Sequence, residues 1–208
     1  MSVRPFGDRA FLIELEQRRD PALVARSRAI ANAWEARGLG PAVPAYASTL
    51  VRFDPARTSY ADARGLAETL AADLAILPEQ PPGPIVLVPV RYDGPDLALT
   101  AARSGVAVDT LIALHAAATY TAWFVGFLPG FAYLGPLDPR IVAPRRPSPR
   151  PRVPAGAVAV ADGQTAIYPA ESPGGWQLIG STDLRCFDPS RDRAALIQAG
   201  DRVRFVPS

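Results

Sequence analysis

A dense cluster of prolines at 78–84 divides this sequence into two parts. Four of its seven residues are proline. Because proline lacks a backbone N–H and clashes with the preceding helical turn, the segment cannot be a helix. Such composition is typical of a linker between domains. The 208 residues suffice for one large domain or two small ones. We therefore predict an N-terminal domain over 1–80 and a C-terminal domain over 84–208.

The first part alternates strand-like and helical patterns. Asp20 and Pro21 have the chemistry of an N-cap and a first helical turn. Ser59 and Asp62 resemble a capping box. The predicted elements are a strand at 10–15, a helix at 20–37, a strand at 43–53 and a helix at 59–77. This order predicts a small α/β domain of about 80 residues.

The second part changes from mixed to all-β character. We expect a strand at 85–93, short helices near 96–103 and from Asp109 onward, and a strand at 121–127. After Val153, short apolar runs are separated by Gly, Pro and Asp turns. These runs lie at 157–161, 165–170, 176–182, 184–188 and 201–207. Their close spacing predicts a closed barrel or a sandwich, and the fold class of the whole chain is α+β.

The absence of lysine excludes several kinds of chemistry. All 22 basic residues are arginine, and the formal net charge is only +2. A Walker-type phosphate loop requires its lysine, as do Schiff-base, pyridoxal and biotinyl-lysine chemistry. A bound anion must therefore be held by arginine forks, backbone N–H groups or helix N-termini. Because the arginines are spread along the chain, a nucleic-acid partner is not expected.

Compartment and metal content can also be judged from composition. The N-terminal sequence MSVRPFGDRAF has no apolar signal-peptide core. No apolar run approaches the roughly 20 residues that span a bilayer, so no membrane partner is expected. The lone Cys186 allows no internal disulfide, which favours a reducing cytoplasm. One histidine and one cysteine do not supply the usual nitrogen and sulfur ligands, so we expect no metal bound by this chain alone.

Three loops between 122 and 182 concentrate glycine, proline, aromatic residues and arginine. The first, 127–131, sets two aromatic side chains, expected to be exposed, around a Pro-Gly turn. The second, 145–152, is an arginine-bearing, extended proline-rich segment. The third, 172–175, offers backbone without side chains to a ligand. The candidate ligand-binding residues in these loops are Phe127, Pro129, Gly130, Phe131, Arg150, Ser172, Gly174 and Gly175.

Several polar residues near these loops are further candidates. His115 lies in the last turn of a predicted helix, whose C-terminus favours its cationic form; the alternative is a core-edge histidine with one hydrogen bond. Glu171 is a candidate because it directly precedes the bare turn; the alternative is a solvated loop carboxylate. On one predicted strand, Gln164 and Tyr168 share a face while Thr165 points to the other. That shared face either binds a polar ligand or is merely wet.

The sequence resembles a known family along nearly its full length. The matching blocks are GDRAFLIEL (7–15), VPAYASTLVRFDP (43–55), HAAATYTAWFVGFLPGFAYLG (115–135), PRRPSPRPRVPAG (144–156) and IYPAESPGGWQLIGST (167–182). They are similar to the family of B-type subunits of 5-oxoprolinase, which includes proteins described as allophanate hydrolase subunit 1 or as sporulation-kinase inhibitors. The resemblance implies a small N-terminal α/β domain and a C-terminal cyclophilin-like β-barrel, without prolyl isomerase activity.

The resemblance also implies a function and partners. The family's enzyme opens 5-oxo-L-proline to L-glutamate with ATP, and Mg is expected with the nucleotide at the assembled complex. The implied partners are a C-type subunit, similar to allophanate hydrolase subunit 2 and to urea carboxylase carboxyltransferase, and an A-type (LamB/YcsF-like) subunit. This chain alone is expected to be inactive. His115, Arg145 and Glu171 are the candidate catalytic residues.

Two other functions remain open at this point. One is a regulatory protein that inhibits a histidine kinase, which needs an exposed hydrophobic surface such as Phe127, Phe131 and Tyr133. The other is a subunit of an allophanate-hydrolase or urea-carboxylase-like amidohydrolase. Under the enzyme hypothesis, we predict one shared concave surface on the barrel. It would be formed by His115, Arg145, Gln164, Tyr168 and the turn 172–175.

Overall fold

The computed structural model describes residues 1–18, 20–72 and 83–208, without the side chain of Pro21. The chain forms two compact units, 1–81 and 82–208. Of the predicted linker at 78–84, only Gly83 and Pro84 fall within the described residues.

The N-terminal unit is an antiparallel sheet with two helices. Its strands are β1 (Ser2–Pro5), β2 (Ala10–Glu14), β3 (Ala42–Pro44) and β4 (Ser48–Arg52), and its helices are α1 (Pro21–Glu35) and α2 (Tyr60–Ala72). The strand order is β1-β2-β4-β3. The single strand predicted at 43–53 is in fact two strands. A tight turn separates them, closed by the Ala45 N–H donating to the Ser48 carbonyl at 2.8 Å.

Both helices of this unit begin where their caps predict. The Asp20 carboxylate accepts a hydrogen bond from the Ala22 N–H at 2.9 Å, and the Ser59 hydroxyl accepts one from the Asp62 N–H at 3.1 Å. The last positions of the helix predicted to reach residue 77 lie outside the described residues. The core is formed by fully buried side chains such as Phe11 and Trp34, each worth about 1.5–3 kcal/mol of burial.

The C-terminal unit is built on a seven-stranded sheet that nearly closes on itself. Its strands are β5 (Ile85–Val90), β6 (Tyr120–Val125), β7 (Ala132–Gly135), β9 (Ala157–Ala161), β10 (Gln164–Ile167), β12 (Gln177–Ser181) and β13 (Arg202–Pro207). The order is β12-β9-β10-β7-β6-β13-β5, and an Arg91–Ser181 bridge brings the two edges together. Helices α3 (Leu97–Arg103) and α4 (Val108–Ala117) complete the unit. The predicted α+β fold class with a C-terminal barrel is confirmed.

Two predictions for the second unit are corrected, the first by a two-stranded ribbon outside this sheet. β8 (Arg150–Val153) pairs with β11 (Ser172–Gly174), so the predicted bare turn at 172–175 is mostly a short strand. The proline of β8 and the proline and glycine of β11 are atypical of strands. A two-stranded ribbon tolerates them because each strand has a free edge. Conversely, the run 184–188 is not a strand and makes only an isolated bridge between Phe187 and Ala195.

Strands β9 and β10 are buried on both faces. One face packs into a large core that includes Val160 and Ile167. The other face carries small alanines, on which a second layer of side chains lies. This outer cluster consists of Phe131, Val153, Ala157, Ala159, Ala161, Ala166, Tyr168, Trp176 and Leu178. The alanines matter because their small side chains let the bulky aromatic residues approach the sheet closely.

No single helix of the described chain is long and apolar enough to cross a bilayer. The bent pair α3 and α4 passes that test only when the two helices are taken together.

Candidate functional site

A cleft of about 250 Å³ lies on the outer cluster of the C-terminal unit. It is bounded by the turn between β6 and β7, by the segment before β8, and by β11 with the residues that follow it. Its lining is aromatic, proline and glycine with a single charged side chain, Arg145. The lining residues are Phe127, Phe131, Tyr133, Arg145, Pro149, Tyr168, Pro173, Gly174, Gly175 and Trp176.

Phe131 is the centre of the aromatic wall. Its ring meets Tyr133 at 4.9 Å, Tyr168 at 5.2 Å and Trp176 at 5.8 Å between centroids, all tilted or edge-to-face. Phe127 reaches the same ring at 5.4 Å and 82°. Each such edge-to-face pair stabilises the fold by about 0.5–1.5 kcal/mol beyond the contribution of burying its surface. The wall is therefore a packed surface, and its shape does not depend on a ligand.

The Pro-Gly turn places its two aromatic residues differently. Phe127, at φ 72°, is 61% exposed, whereas Phe131 is buried. The expectation of two exposed rings is therefore wrong for Phe131, because strand pairing carries it into the outer cluster. Pro129 and Gly130 form the turn without lining the cleft. Gly130 has φ 82°, and a Cβ there would lie 2.8 Å from the Phe187 Cβ, so this position requires glycine.

Arg145 is the cation of the cleft. Its Nε donates to the Asp162 carboxylate at 3.0 Å, and its guanidinium carbon lies 5.9 Å from the centre of the Trp176 ring. The backbone on either side is anchored. Gln177 Nε2 donates to the Pro144 carbonyl at 2.7 Å, and the Arg146 N–H donates to the Gly175 carbonyl at 2.7 Å. The base of this exposed side chain is thus fixed over the aromatic wall.

The other arginines of this segment are directed elsewhere. Arg150 binds the buried Asp96 carboxylate at 2.6 Å, and Arg146 lies 3.6 Å from the same group. Asp96 also accepts the Leu178 N–H at 2.7 Å, so Arg150 joins α3, β8 and β12. Arg150, a predicted ligand-binding residue, therefore does not line the cleft. Arg152 lies 3.8 Å from the predicted catalytic residue Glu171, with both side chains largely exposed and outside the cleft lining.

Tyr168 and Gly174 form a close contact inside the cleft. A Cβ on Gly174 would lie 2.8 Å from Tyr168 Cζ and closer still to the hydroxyl oxygen, so only glycine fits beside this ring. Burial raises the pKa of Tyr168, although the Trp176 backbone N–H acts in the opposite direction. Burial also raises the pKa of Tyr133. Both hydroxyls therefore remain neutral hydrogen-bond donors at ordinary pH.

His115 lies on the opposite face of the sheet and does not line the cleft. It is fully buried, with Nδ1 2.8 Å from the Tyr92 hydroxyl and Nε2 2.9 Å from the Thr165 hydroxyl. Because Thr165 donates its hydrogen to the Ala159 carbonyl at 3.1 Å, it must accept from a protonated Nε2. Nδ1 then accepts from Tyr92, which defines a neutral tautomer.

Two expectations for His115 are thereby wrong. The helix C-terminus does not make it cationic, because desolvation lowers its pKa to about 3. The bland alternative of one hydrogen bond at the core edge is also wrong, since the ring is fully buried with two. The predicted concave surface shared with Arg145 and Tyr168 therefore does not include His115. Thr165, a separate ligand-binding candidate, faces His115 and does not line the cleft.

Gln164 and Ser172 are also absent from the cleft lining. Gln164 is buried, and its Nε2 has no hydrogen-bond partner among the described residues. Ser172 is buried in β11 opposite Val153. Sequence reasoning missed Tyr133 and Trp176 as cleft residues. Tyr133 follows Phe131 by two positions, and strand alternation extended one residue back from β7 would have placed both side chains on one face.

Within the described residues, no group of three or more His, Cys, Asp or Glu side chains is placed to hold a metal ion. Burial raises the pKa of the Cys186 thiol to about 11. This thiol is therefore inert at ordinary pH, in agreement with its apolar sequence neighbours.

Comparison with known proteins confirms the resemblance seen in the sequence. The family described as carboxyltransferase domain, subdomain C and D, matches residues 1–197. The B-type subunit of 5-oxoprolinase from Escherichia coli O157:H7 is 48% identical over 131 residues, which are 62% of this chain and 60% of the relative. The Bacillus subtilis protein of the same name is 46% identical over 125 residues, 59% of this chain and 52% of the relative. The matches thus span a little over half of these relatives' length.

Solved structures show the same fold. TTHA0988 superposes with a TM-score of 0.84 at 38% identity, over 100% of this chain and 40% of that chain. The conserved uncharacterized protein PH0987 from Pyrococcus horikoshii is 39% identical over 100% of this chain and 97% of its own, with a TM-score of 0.58. Kluyveromyces lactis urea carboxylase, at 19% identity and a TM-score of 0.73, covers 99% of this chain and 21% of that chain. This last likeness concerns the fold alone.

Proposed function

The chain belongs to the family of carboxyltransferase domains, subdomains C and D, and from this we propose that it is the B-type subunit of an ATP-dependent 5-oxoprolinase. The support is its identity of 48% and 46% to proteins named as that subunit of 5-oxoprolinase. The proposed reaction opens 5-oxo-L-proline to L-glutamate in the cytoplasm. It requires an A-type and a C-type subunit, with MgATP bound at the assembled complex.

The chemistry of a lactam explains the need for ATP. A lactam carbonyl resists water, because its nitrogen donates electron density and is a poor leaving group. Transfer of the γ-phosphoryl group to the lactam oxygen, with release of ADP, makes the carbon electrophilic. Water then adds to that carbon, and the C–N bond opens to the amine of glutamate and leaves an acyl phosphate. A second water releases the phosphate and frees the carboxylate. The charge that develops on oxygen needs preorganised donors.

The observation that carries the proposal is the composition of the cleft. It offers one guanidinium, two neutral phenols, further aromatic rings and a glycine backbone. These groups can hold and orient a small ligand. They do not pair a nucleophile with a general base in the manner of a complete hydrolytic site. A lining that binds without supplying a base is what we expect of one subunit in a shared catalytic assembly.

The test is reconstitution. The three subunits, produced separately and mixed, should release phosphate and glutamate from ATP and 5-oxo-L-proline. Leaving out this chain, or using it alone, should abolish turnover. The proposal is wrong if the A- and C-type subunits are equally active without this chain. It is also wrong if this chain alone turns over the substrate.

We do not propose the kinase-inhibitor alternative. That role needed Phe127, Phe131 and Tyr133 to form one exposed docking surface, and of the three only Phe127 is exposed while Phe131 is buried. The amidohydrolase alternative is supported only by fold, through the distant likeness to urea carboxylase.

A further inference from the structure

The cleft on the outer cluster is too small and too weakly charged for a nucleotide. Its volume of about 250 Å³ is below the roughly 300–1,000 Å³ of pockets that hold drug-sized ligands. Its walls are largely aromatic rings and prolines, against which a compact ring packs better than an extended chain. Size and shape therefore select a small cyclic ligand.

The charge of the cleft selects a ligand with one negative group. Arg145 is its only charged lining residue, and the one hydrogen bond that this side chain makes within the described part of the chain is from Nε to Asp162. The two terminal nitrogens are thus open to the fork-like pairing that carboxylates accept. Arg146 and Arg150 are directed to Asp96 instead. A triphosphate would meet one cation in this cleft, Arg145, whose charge is partly balanced by Asp162. The chain has no lysine to add a second kind of cation.

Neutral donors complete the lining. The hydroxyls of Tyr133 and Tyr168 keep their protons, because burial raises both pKa values. Gly174 and Gly175 place backbone at the cleft without side chains. A carbonyl oxygen on the ligand ring can accept from such donors, while the ring packs against the aromatic lining of the cleft. Ring, carbonyl and carboxylate are the three parts of a cyclic amide acid.

We propose that this cleft holds the ring of a small cyclic amide acid, with its carboxylate on Arg145, and that the nucleotide binds outside it. The class of ligand follows from the cleft. The identification of that ligand as 5-oxo-L-proline rests on the proposed function.

The first test is direct binding to the full chain by isothermal titration or saturation-transfer NMR. The probes are 5-oxo-L-proline, 2-pyrrolidinone, which has the same ring without the carboxylate, and MgATP. We expect binding of 5-oxo-L-proline and at least tenfold weaker binding of 2-pyrrolidinone and of MgATP. Arg145→Ala should weaken 5-oxo-L-proline binding at least tenfold. Arg145→Lys, which keeps the charge but loses the fork, should fall between these two proteins.

Arg152→Ala is the matched control. Arg152 belongs to the same arginine-rich segment, its side chain is 82% exposed, and it lies outside the cleft lining. Its replacement should leave binding unchanged. The inference is overturned if MgATP binds this chain and Arg145→Ala weakens that binding. It is equally overturned if Arg145→Ala and Arg152→Ala bind 5-oxo-L-proline alike, or if the wild-type chain binds no ring acid.

The second test separates this inference from the proposed function. In the reconstituted complex, Arg145→Ala should raise the KM for 5-oxo-L-proline at least tenfold and leave the KM for ATP unchanged. Full activity with both constants unchanged would refute the cleft assignment while the subunit role stands. Ring-acid binding by the chain without activity of the complex would refute the subunit role while the cleft assignment stands.

Discussion

At the scale of single residues, local sequence and tertiary packing can favour opposite charge states of the same side chain. His115 sits at a helix C-terminus, which favours a cation, but its ring is fully buried and stacks on Phe205 at 4.5 Å. Desolvation outweighs the helix terminus, because removing a charge from water costs several kcal/mol, against at most about 2 for the dipole. The buried ring is neutral and structural.

This neutrality predicts a specific pH dependence of stability. The pKa of His115 is lowered from 6.5 to about 3, so the unfolded chain takes up the proton first as pH falls. Stability is full above pH 6.5 and is lost as the pH falls from 6.5 toward 3. Between pH 6.5 and 5, where carboxylates hardly titrate, the free energy of unfolding should fall by about 1–2 kcal/mol.

Urea unfolding at several pH values checks this. The chain has one histidine, so His115→Gln, less stable at pH 7, should show a nearly flat profile in the same window. An unchanged slope in the variant would mean that another group is responsible.

A second residue-scale prediction concerns the adjacent glycines of the cleft. Gly174→Ala forces a Cβ against Tyr168 and should lower the free energy of unfolding by about 1–3 kcal/mol through overpacking. Gly175→Ala is the matched control, because its Cβ would meet nothing nearer than 3.9 Å and should change stability by about 0.5 kcal/mol or less. Chemical denaturation of both variants measures the two free energies of unfolding. Equal effects would show that Tyr168 moves aside freely.

At the scale of elements, one buried carboxylate ties distant parts of the barrel unit together. Asp96, at the start of α3, accepts from Arg150 of β8 and from the Leu178 N–H of β12. Two arginines of the same segment therefore have different roles. Arg150 fastens the ribbon to the barrel, and Arg145 faces the cleft.

This division predicts opposite phenotypes for two neighbouring arginines. Arg150→Ala removes the closer cation of the buried Asp96 carboxylate and leaves Arg146 at 3.6 Å, so it should cost up to about 3–5 kcal/mol of stability. Arg145→Ala removes a surface ion pair and should cost about 0–1 kcal/mol, while weakening ring-acid binding. Thermal unfolding and titration on the same samples compare them. A stable, non-binding Arg150→Ala would return that residue to the ligand site.

At the scale of the whole molecule, each compact unit has its own core. The N-terminal cluster draws on Phe11, Trp34 and their neighbours, whereas both clusters of the other unit begin after residue 83. β5 is an integral part of the second unit, since it pairs in parallel with β13 over six residue pairs from Ile85–Arg202 to Val90–Pro207.

The fragment 83–208 should therefore fold without the first unit. We expect a single cooperative urea transition and retained binding of 5-oxo-L-proline, because the cleft lies wholly within it. The control fragment 96–208 keeps Asp96 but lacks β5 and exposes one edge of β13, so it should not unfold cooperatively. If both fragments behave alike, the core of this unit does not depend on β5, and if 83–208 shows no transition, the units are not independent.

Much of the architecture could be predicted because it depends on neighbours in sequence. The caps at Asp20 and Ser59 act within three residues, and strand alternation correctly separated Thr165 from Tyr168. Strand β11 was mistaken for a turn, because its Pro-Gly composition hides a pairing with β8 that only the folded chain supplies.

The site depended on partners that are remote in sequence. Arg145 and Arg150 have the same chemistry and similar surroundings in sequence, but Arg150 meets a carboxylate 54 positions away. His115 meets Thr165 50 positions away and is withdrawn from solvent. The sequence could name the residues capable of chemistry. Which of them face a ligand was decided by packing, because burial and pairing partners arise only when distant segments are brought together.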